Sequence, residues 1–175
     1  DGRLGALIDL GAGFHPELTG RENVYMNGVI SGLTRRQVSE ILDEIVAFAE
    51  LEEFIDSPVR TYSSGMQLRL AFAVAVHVQP EVLLVDEVLA VGDLGFQRKC
   101  LDRIHELRSQ GAAILFVTHD LVQVEQICNR VVWLNKGRVA AWGPAEEVVS
   151  AYRRSMAGSR KGAATAQCSV QYGAV

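Results

Sequence analysis

Val82-Leu83-Leu84-Val85-Asp86-Glu87 decides the reading of this chain. Four apolar residues, two of them β-branched, run straight into two adjacent carboxylates, and Pro80 stands just before them. A short apolar run bounded in this way predicts a strand buried on both faces, as in a parallel sheet. The carboxyl end of such a strand is where open α/β sheets place their ligands. There an Asp can hold Mg²⁺ while the neighbouring Glu handles a water molecule. A strand ending in Asp-Glu is more often one that simply runs into a solvated loop, so the flanking sequence has to decide.

On the carboxyl side strands and helices alternate. Residues 95–109 predict a helix stopping at Gly111, residues 113–118 a strand, and residues 121–127 a short helix. That order implies a parallel sheet with right-handed crossovers. Val131–Leu134 and Arg138–Trp142, joined through Asn135-Lys136-Gly137, predict a hairpin. Pro144 suits the first position of a last helix, with Glu146 and Glu147 in its first turn.

On the amino side the pattern is helical. Thr19-x-x-Glu22 and Thr34-x-x-Gln37 have capping-box spacing, and Ser64-x-x-Gln67 opens an Ala-rich apolar helix through Val78. Behind Thr34, residues Val38, Ile41, Leu42, Ile45, Phe48 and Ala49 fall on one helix face. Residues 4–10 predict a strand and residues 11–16 a loop. The expected architecture is therefore one α/β domain over residues 1–152, with a helical subdomain at about 20–78. Residues 153–175 read as a disordered basic tail, rich in Ala, Gly, Ser and Gln.

Composition bounds the function. The chain has 175 residues, 49% of them hydrophobic, enough for one well-packed domain. A net charge of −4 gives no hint of nucleic-acid binding. The tail carries Arg153, Arg154, Arg160 and Lys161 without an acid, so the remainder is more acidic than the whole. Cys100, Cys128 and Cys168 are too widely spaced for a metal pattern or a disulfide framework, which fits a reducing cytoplasm. No apolar run is long enough to span a bilayer. The chain opens on Asp1 rather than Met, with a predicted strand at once, which suggests a fragment lacking its upstream part.

Four motifs carry candidate chemistry, and each has a plain reading. Tyr62-Ser63-Ser64-Gly65-Met66-Gln67 sits at a predicted helix start, where free N–H groups and the helix dipole attract an anion. Alone it is an ordinary cap beside a flexible Gly. Asp86-Glu87 is the second motif. The third is Val88 to Asp93, where Asp93 alone would be a helix cap. The fourth is Phe116-Val117-Thr118-His119-Asp120, with His119 at the next strand's carboxyl end, a place where a lone His is usually structural.

In this order and spacing the four resemble the ATP-binding subunit of an ABC transporter. Tyr62 to Met66 is similar to the family's signature motif, Val82 to Asp86 to its Walker B strand and Glu87 to its catalytic glutamate. Leu89 to Asp93 is similar to its D-loop, and His119 to its switch histidine. The resemblance runs from the first residues to about Tyr152 and implies a P-loop NTPase-type parallel sheet. It implies ATP and Mg²⁺ as cofactors, with Asp86 holding Mg²⁺ through water, Glu87 activating the attacking water and His119 contacting the γ-phosphate. It also implies a head-to-tail homodimer, in which Ser63, Ser64 and Gly65 bind the ATP of the opposite subunit and Asp93 lies at the interface.

Departures from the family pattern narrow it further. No Gly-x-x-x-x-Gly-Lys-Ser/Thr loop occurs in these residues; the family places it upstream, so the chain by itself is expected to be inactive. The family's Q-loop glutamine is missing, and Asp9 stands near its place. Gly11-x-Gly13 lacks the third Gly of a dinucleotide fingerprint. Leu10 to Gly20, the Tyr-Ser-Ser-Gly-Met signature and Asp86 to Asp93 resemble the subgroup that exports O-antigen, capsule or teichoic acid. That subgroup implies a peripheral protein on the cytoplasmic face of the inner membrane, meeting a permease through about Phe14–Gly32 and the helical subdomain. The alternatives are an ABC ATPase for a drug, lipid or peptide, a nucleotide-switched clamp outside transport, and a non-catalytic partner donating only the signature face.

Overall fold

A computed structural model describes residues 3–7, 13–86, 92–158 and 167–170. They fall into two compact units, one within residues 1–83 and 88–112, the other within 84–87 and 113–175.

The first unit is mainly helical. Helices α1 (Gly20–Ile30) and α2 (Arg35–Ala49) start at Thr19 and Thr34, each closing the capping box its spacing predicts. Helix α3 (Ser64–His77) begins one residue earlier than the Ser64-x-x-Gln67 spacing suggests. Ser63 is its cap, with its hydroxyl accepting from the Met66 N–H at 3.2 Å. Both serines can cap; the one whose backbone is extended does so. Val24, Val38, Leu42, Ile45, Leu70, Ala73 and Val74 from the three helices bury into one core. Each such Val, Leu or Ile contributes about 1.5–3 kcal/mol through lost apolar exposure. Helix α4 (Leu94–Ser109) adds Phe96, which meets Phe48 and Phe72 edge-on. Strand β1 (Leu4–Leu7) lies beside the start of β2 (Val82–Asp86), where the Arg3 carbonyl accepts from the N–H groups of Glu81 and Val82. The rest of the strand expected over residues 4–10 lies outside the described residues.

The second unit is a sheet with two helices. Its strands run in the order β2 (from Leu84 on), β3 (Ala113–Thr118), β6 (Gln167–Val170), β4 (Arg130–Asn135) and β5 (Arg138–Pro144). Both β3 and β4 are antiparallel to β6, so they are parallel to each other; β3 pairs Phe116 with Val170, and β4 pairs Val132 with Ser169. Strands β4 and β5 form the expected hairpin, with Lys136 and Gly137 in the left-handed conformation its turn needs. Helix α5 (Leu121–Ile127) follows β3, and α6 (Ala145–Gly158) closes the unit. Glu125 of α5 accepts two hydrogen bonds from Arg153 of α6, at 2.8 and 3.0 Å.

Two sequence expectations change here. Pro144 is the last residue of β5, held in the ladder by its pairing with Arg130, so the helix starts after it, at Ala145, whose N–H donates to the Asn129 carbonyl. The last helix also runs past the expected boundary at 152. Helix α6 continues to Gly158, anchored by the Arg153–Glu125 pair, and 167–170 form a strand. The other residues of the expected disordered tail, 159–166 and 171–175, lie outside the described residues.

Candidate functional site

The candidate residues divide between the two units. Ser63, Ser64, Gly65 and Asp93 belong to the first, Asp86 and His119 to the second. Glu87 and residues 88–91 of the D-loop lie outside the described residues, as does Asp9.

In the first unit, the signature stretch is fixed from both sides. Tyr62 is buried, and its hydroxyl donates to the Phe54 carbonyl at 2.7 Å. Burial and nearby Asp56 push its pKa up, so it stays a neutral donor. The strip leading into it is tied to the loop before α1: Val59 N–H donates to Leu18 O and Arg60 N–H to Pro16 O, both at 2.9 Å. That loop is itself held by Asn23, fully buried on α1. The Asn23 amide nitrogen donates to the carbonyls of His15, Leu18 and Thr19, and its oxygen accepts from His15 N–H at 2.7 Å.

Ser63 and Ser64 are exposed at the start of α3. The next residue is informative by what does not surround it. A Cβ on Gly65 would meet nothing closer than Ser63 Oγ at 3.9 Å. Gly in a helix costs up to about 1 kcal/mol relative to Ala, and no packing in the described residues requires one here. The open space lies at free N–H groups and the positive end of a helix dipole, which is what an approaching anion needs.

Asp93 caps α4 by accepting from the Phe96 N–H at 3.0 Å, and its other oxygen accepts from Arg69 Nη2 at 2.6 Å. The Phe96 N–H, and then the Arg69 charge, hold its carboxyl below the usual Asp value. The sequence reading missed Arg69. Its signal is a single guanidinium on a helix otherwise apolar from Leu68 to Val76.

In the second unit, Asp86 ends β2, half-buried, and His119 follows the last residue of the neighbouring strand β3, exposed. The turn carrying His119 is fastened at both ends. Buried Thr118 accepts from the Asp120 N–H through Oγ1 at 3.0 Å. The Asp120 carboxylate in turn accepts from the N–H groups of Val122 and Gln123. The sequence reading did not single out Thr118 or Asp120, although an Asp before an apolar run is a helix-start signal.

Among the described residues no cluster of three His, Cys, Asp or Glu could cage a metal ion. Mg²⁺ is usually held by one or two carboxylates together with substrate phosphates. A half-buried Asp86 at a strand end fits an ion brought by a nucleotide.

The ABC transporter family profile matches residues 3–90, about half of the chain, and the chain belongs to that family. It is 49% identical over 156 residues to the O-antigen export system ATP-binding protein RfbB of Klebsiella pneumoniae, covering 89% of this chain and 63% of that protein. It is 53% identical to the protein of the same name from Myxococcus xanthus, covering 89% of this chain and 36% of the other. It is 44% identical to the teichoic acids export ATP-binding protein TagH of Bacillus anthracis, covering 84% and 27%. The chain thus spans less than two thirds of these relatives. Among solved structures, an ATP-binding subunit of an ABC transporter superposes with a TM-score of 0.76 at 25% identity, covering 92% of this chain and 65% of that one. The dimeric cassette MJ0796, bound to ADP and Pi, superposes with a TM-score of 0.67 at 24% identity, covering 82% and 63%.

Proposed function

We propose that this chain is part of the ATP-hydrolysing subunit of a transporter that exports a lipid-linked surface polysaccharide across the bacterial inner membrane. The observation that carries this is the likeness to O-antigen and teichoic acid export ATP-binding proteins over 84–89% of the chain. The signature, the Asp86 strand end and His119 all fall within it.

ATP with Mg²⁺, when bound, supplies the phosphoanhydride and a divalent charge that neutralises its oxygens. Asp86 holds the ion's water shell from the end of β2. Glu87 aligns and deprotonates the attacking water; a free Glu is a weak base at neutral pH, so placement supplies much of its effect. His119, on its doubly fastened turn, donates to the terminal phosphate. Ser63 and the Gly65 N–H donate to the terminal phosphate held by the opposite subunit of a head-to-tail homodimer, and the space in front of Gly65 supports that role. Dimeric cassettes among the structural relatives support the homodimer.

The permease partner is assigned to the α1 side. Val29 and Ile30 are exposed large apolar residues at the end of α1. They line a groove of about 760 Å³ with Leu18, Tyr25, Met26 and Arg35. An apolar groove of this kind suits a short helix with an apolar face. No helix among the described residues is long and apolar enough to cross a membrane, so this reading gives the crossing to the permease and a peripheral place on the cytoplasmic face to this chain.

The test is reconstitution. The ATPase, complete with its phosphate-binding loop, is placed in vesicles with the permease that co-purifies, and turnover is measured with and without a lipid-linked polysaccharide. Stimulation by the glycan lipid is expected. Stimulation by a drug or peptide alone would reassign the cargo, and no hydrolysis at all would sink the ATPase reading.

A further inference from the structure

Arg69 sits six positions beyond Ser63 on the same helix, and its side chain is only 20% exposed. Its guanidinium is held on three sides. Nη1 donates to Glu50 Oε2 at 2.7 Å, Nη2 donates to Asp93 Oδ2 at 2.6 Å, and its central carbon lies 4.8 Å from the centre of the Phe96 ring. Gly92, next to Asp93, has φ +76, and a Cβ there would come within 3.2 Å of Phe96, so the turn that carries Asp93 favours Gly on both counts.

The two carboxylates are differently supported. Glu50, in a left-handed cap at the end of α2, also binds Lys99 at 3.3 Å, and Lys99 donates to the Phe48 carbonyl at 3.0 Å. The end of α2 thus keeps a cation if Arg69 is lost. Asp93 keeps the backbone N–H groups at the start of α4, Phe96 first among them, but among the described residues no second cation pairs with it. Both carboxylates are more than half exposed, at 52% and 66%, and pairs of that kind add little to stability. What a planar two-armed guanidinium adds is geometry.

We propose that Arg69 is a positioning residue that clamps the Gly92-Asp93 turn to the signature helix, so that Ser63–Gly65, facing the opposite subunit's ATP, and Asp93, at the dimer interface, meet that subunit as one rigid piece. This rests on the ATPase reading above for its consequence, though not for the clamp itself. A plain structural role would make the Glu50 and Asp93 arms equivalent; a positioning role makes the Asp93 arm matter for turnover and the Glu50 arm not.

Three variants separate these: Arg69→Met, Arg69→Lys and Glu50→Gln. In the 175-residue chain, amide exchange over residues 94–97 is expected to rise about tenfold in Arg69→Met, less in Arg69→Lys, and to stay near wild type in Glu50→Gln. In the complete ATPase, kcat is expected to fall about tenfold or more in Arg69→Met with little change in KM for ATP, as for a small misplacement. Arg69→Lys should recover part of the rate, and Glu50→Gln should match wild type. Unchanged exchange in Arg69→Met overturns the clamp. Wild-type kcat in Arg69→Met, or an equal loss in Glu50→Gln, overturns the positioning role. A wild-type enzyme without turnover counts against the ATPase reading, and the exchange measurement, which needs no nucleotide, still decides the clamp.

Discussion

Gly28 on α1 meets Val38 on α2 with no room for a methyl group: a Cβ on Gly28 would lie 2.6 Å from Val38 Cγ2. Both residues are buried, and the contact sets how closely the first two helices approach. Helix propensity favours Ala over Gly by up to about 1 kcal/mol, so the sign of Gly28→Ala depends on whether packing outweighs it. We expect it to, with a net loss of about 1–3 kcal/mol from overpacking. Val38→Ala alone should also destabilise, by removing buried methyls. The double variant should lose less than the sum, because each change relieves the other. Urea midpoints for the four proteins check this; strict additivity would place the contact elsewhere.

Asn23 carries the loop that the proposed permease groove needs. Replacing it with Ala removes four part-buried hydrogen bonds that hold this loop; the His15, Leu18 and Thr19 carbonyls each keep a backbone donor, while the His15 N–H loses its acceptor, a cost of about 1–3 kcal/mol. Amide exchange of His15 should rise, since its N–H is donated to the Asn23 oxygen. In the reconstituted complex, permease association should weaken more than nucleotide-driven dimerisation. Equal loss of both would speak against a permease role for this loop.

His77 makes the fold sensitive to acid. It is 9% exposed, its Nδ1–H donates to the Ala73 carbonyl at 2.7 Å, and its ring meets Phe48 edge-on. Burial, opposed by the Ala73 hydrogen bond, lowers its pKa from the ordinary 6.5. The unfolded chain then binds a proton before the folded one does, so stability falls as pH drops below about 6.5 and levels off below the folded-state pKa. Thermal midpoints between pH 7.5 and 5 should slope downward through roughly this window. His77→Leu should flatten the slope; an unaltered slope would assign it to other groups.

Glu87→Gln in the complete ATPase should slow hydrolysis by about 10²-fold or more while leaving ATP-dependent dimerisation intact. Single-turnover kinetics and sedimentation read the two separately. Undiminished turnover would remove Glu87 from the water-activating role.

Much of the helical region was legible because its signals are local. Thr19-x-x-Glu22 and Thr34-x-x-Gln37 close capping boxes within four residues, and Lys136-Gly137 can make the tight turn the hairpin needs. The shift from Ser64 to Ser63 as cap and from Pro144 to Ala145 as helix start shows the limit of such signals. Adjacent residues had equal chemical claims, and the backbone settled between them. The candidate site was legible as residue types in order: Ser63, Ser64 and Gly65, then Asp86, then Asp93, then His119.

The sequence by itself determined the order of helices and strands, the capping boxes that open α1 and α2 and which face of α2 is apolar, because capping and periodicity act over a few bonds. Only the tertiary structure decided that Arg69 joins Glu50 and Asp93, residues 19 and 24 positions away. It alone decided that Asn23 ties down the loop from His15 to Thr19, that Gly28 is fixed by Val38 while Gly65 is not fixed by packing, and that β6 pairs between β3 and β4. These are long-range meetings of side chains and strands. Their partners are set by packing distance and the need to satisfy polar groups, which leave no periodic trace along the chain.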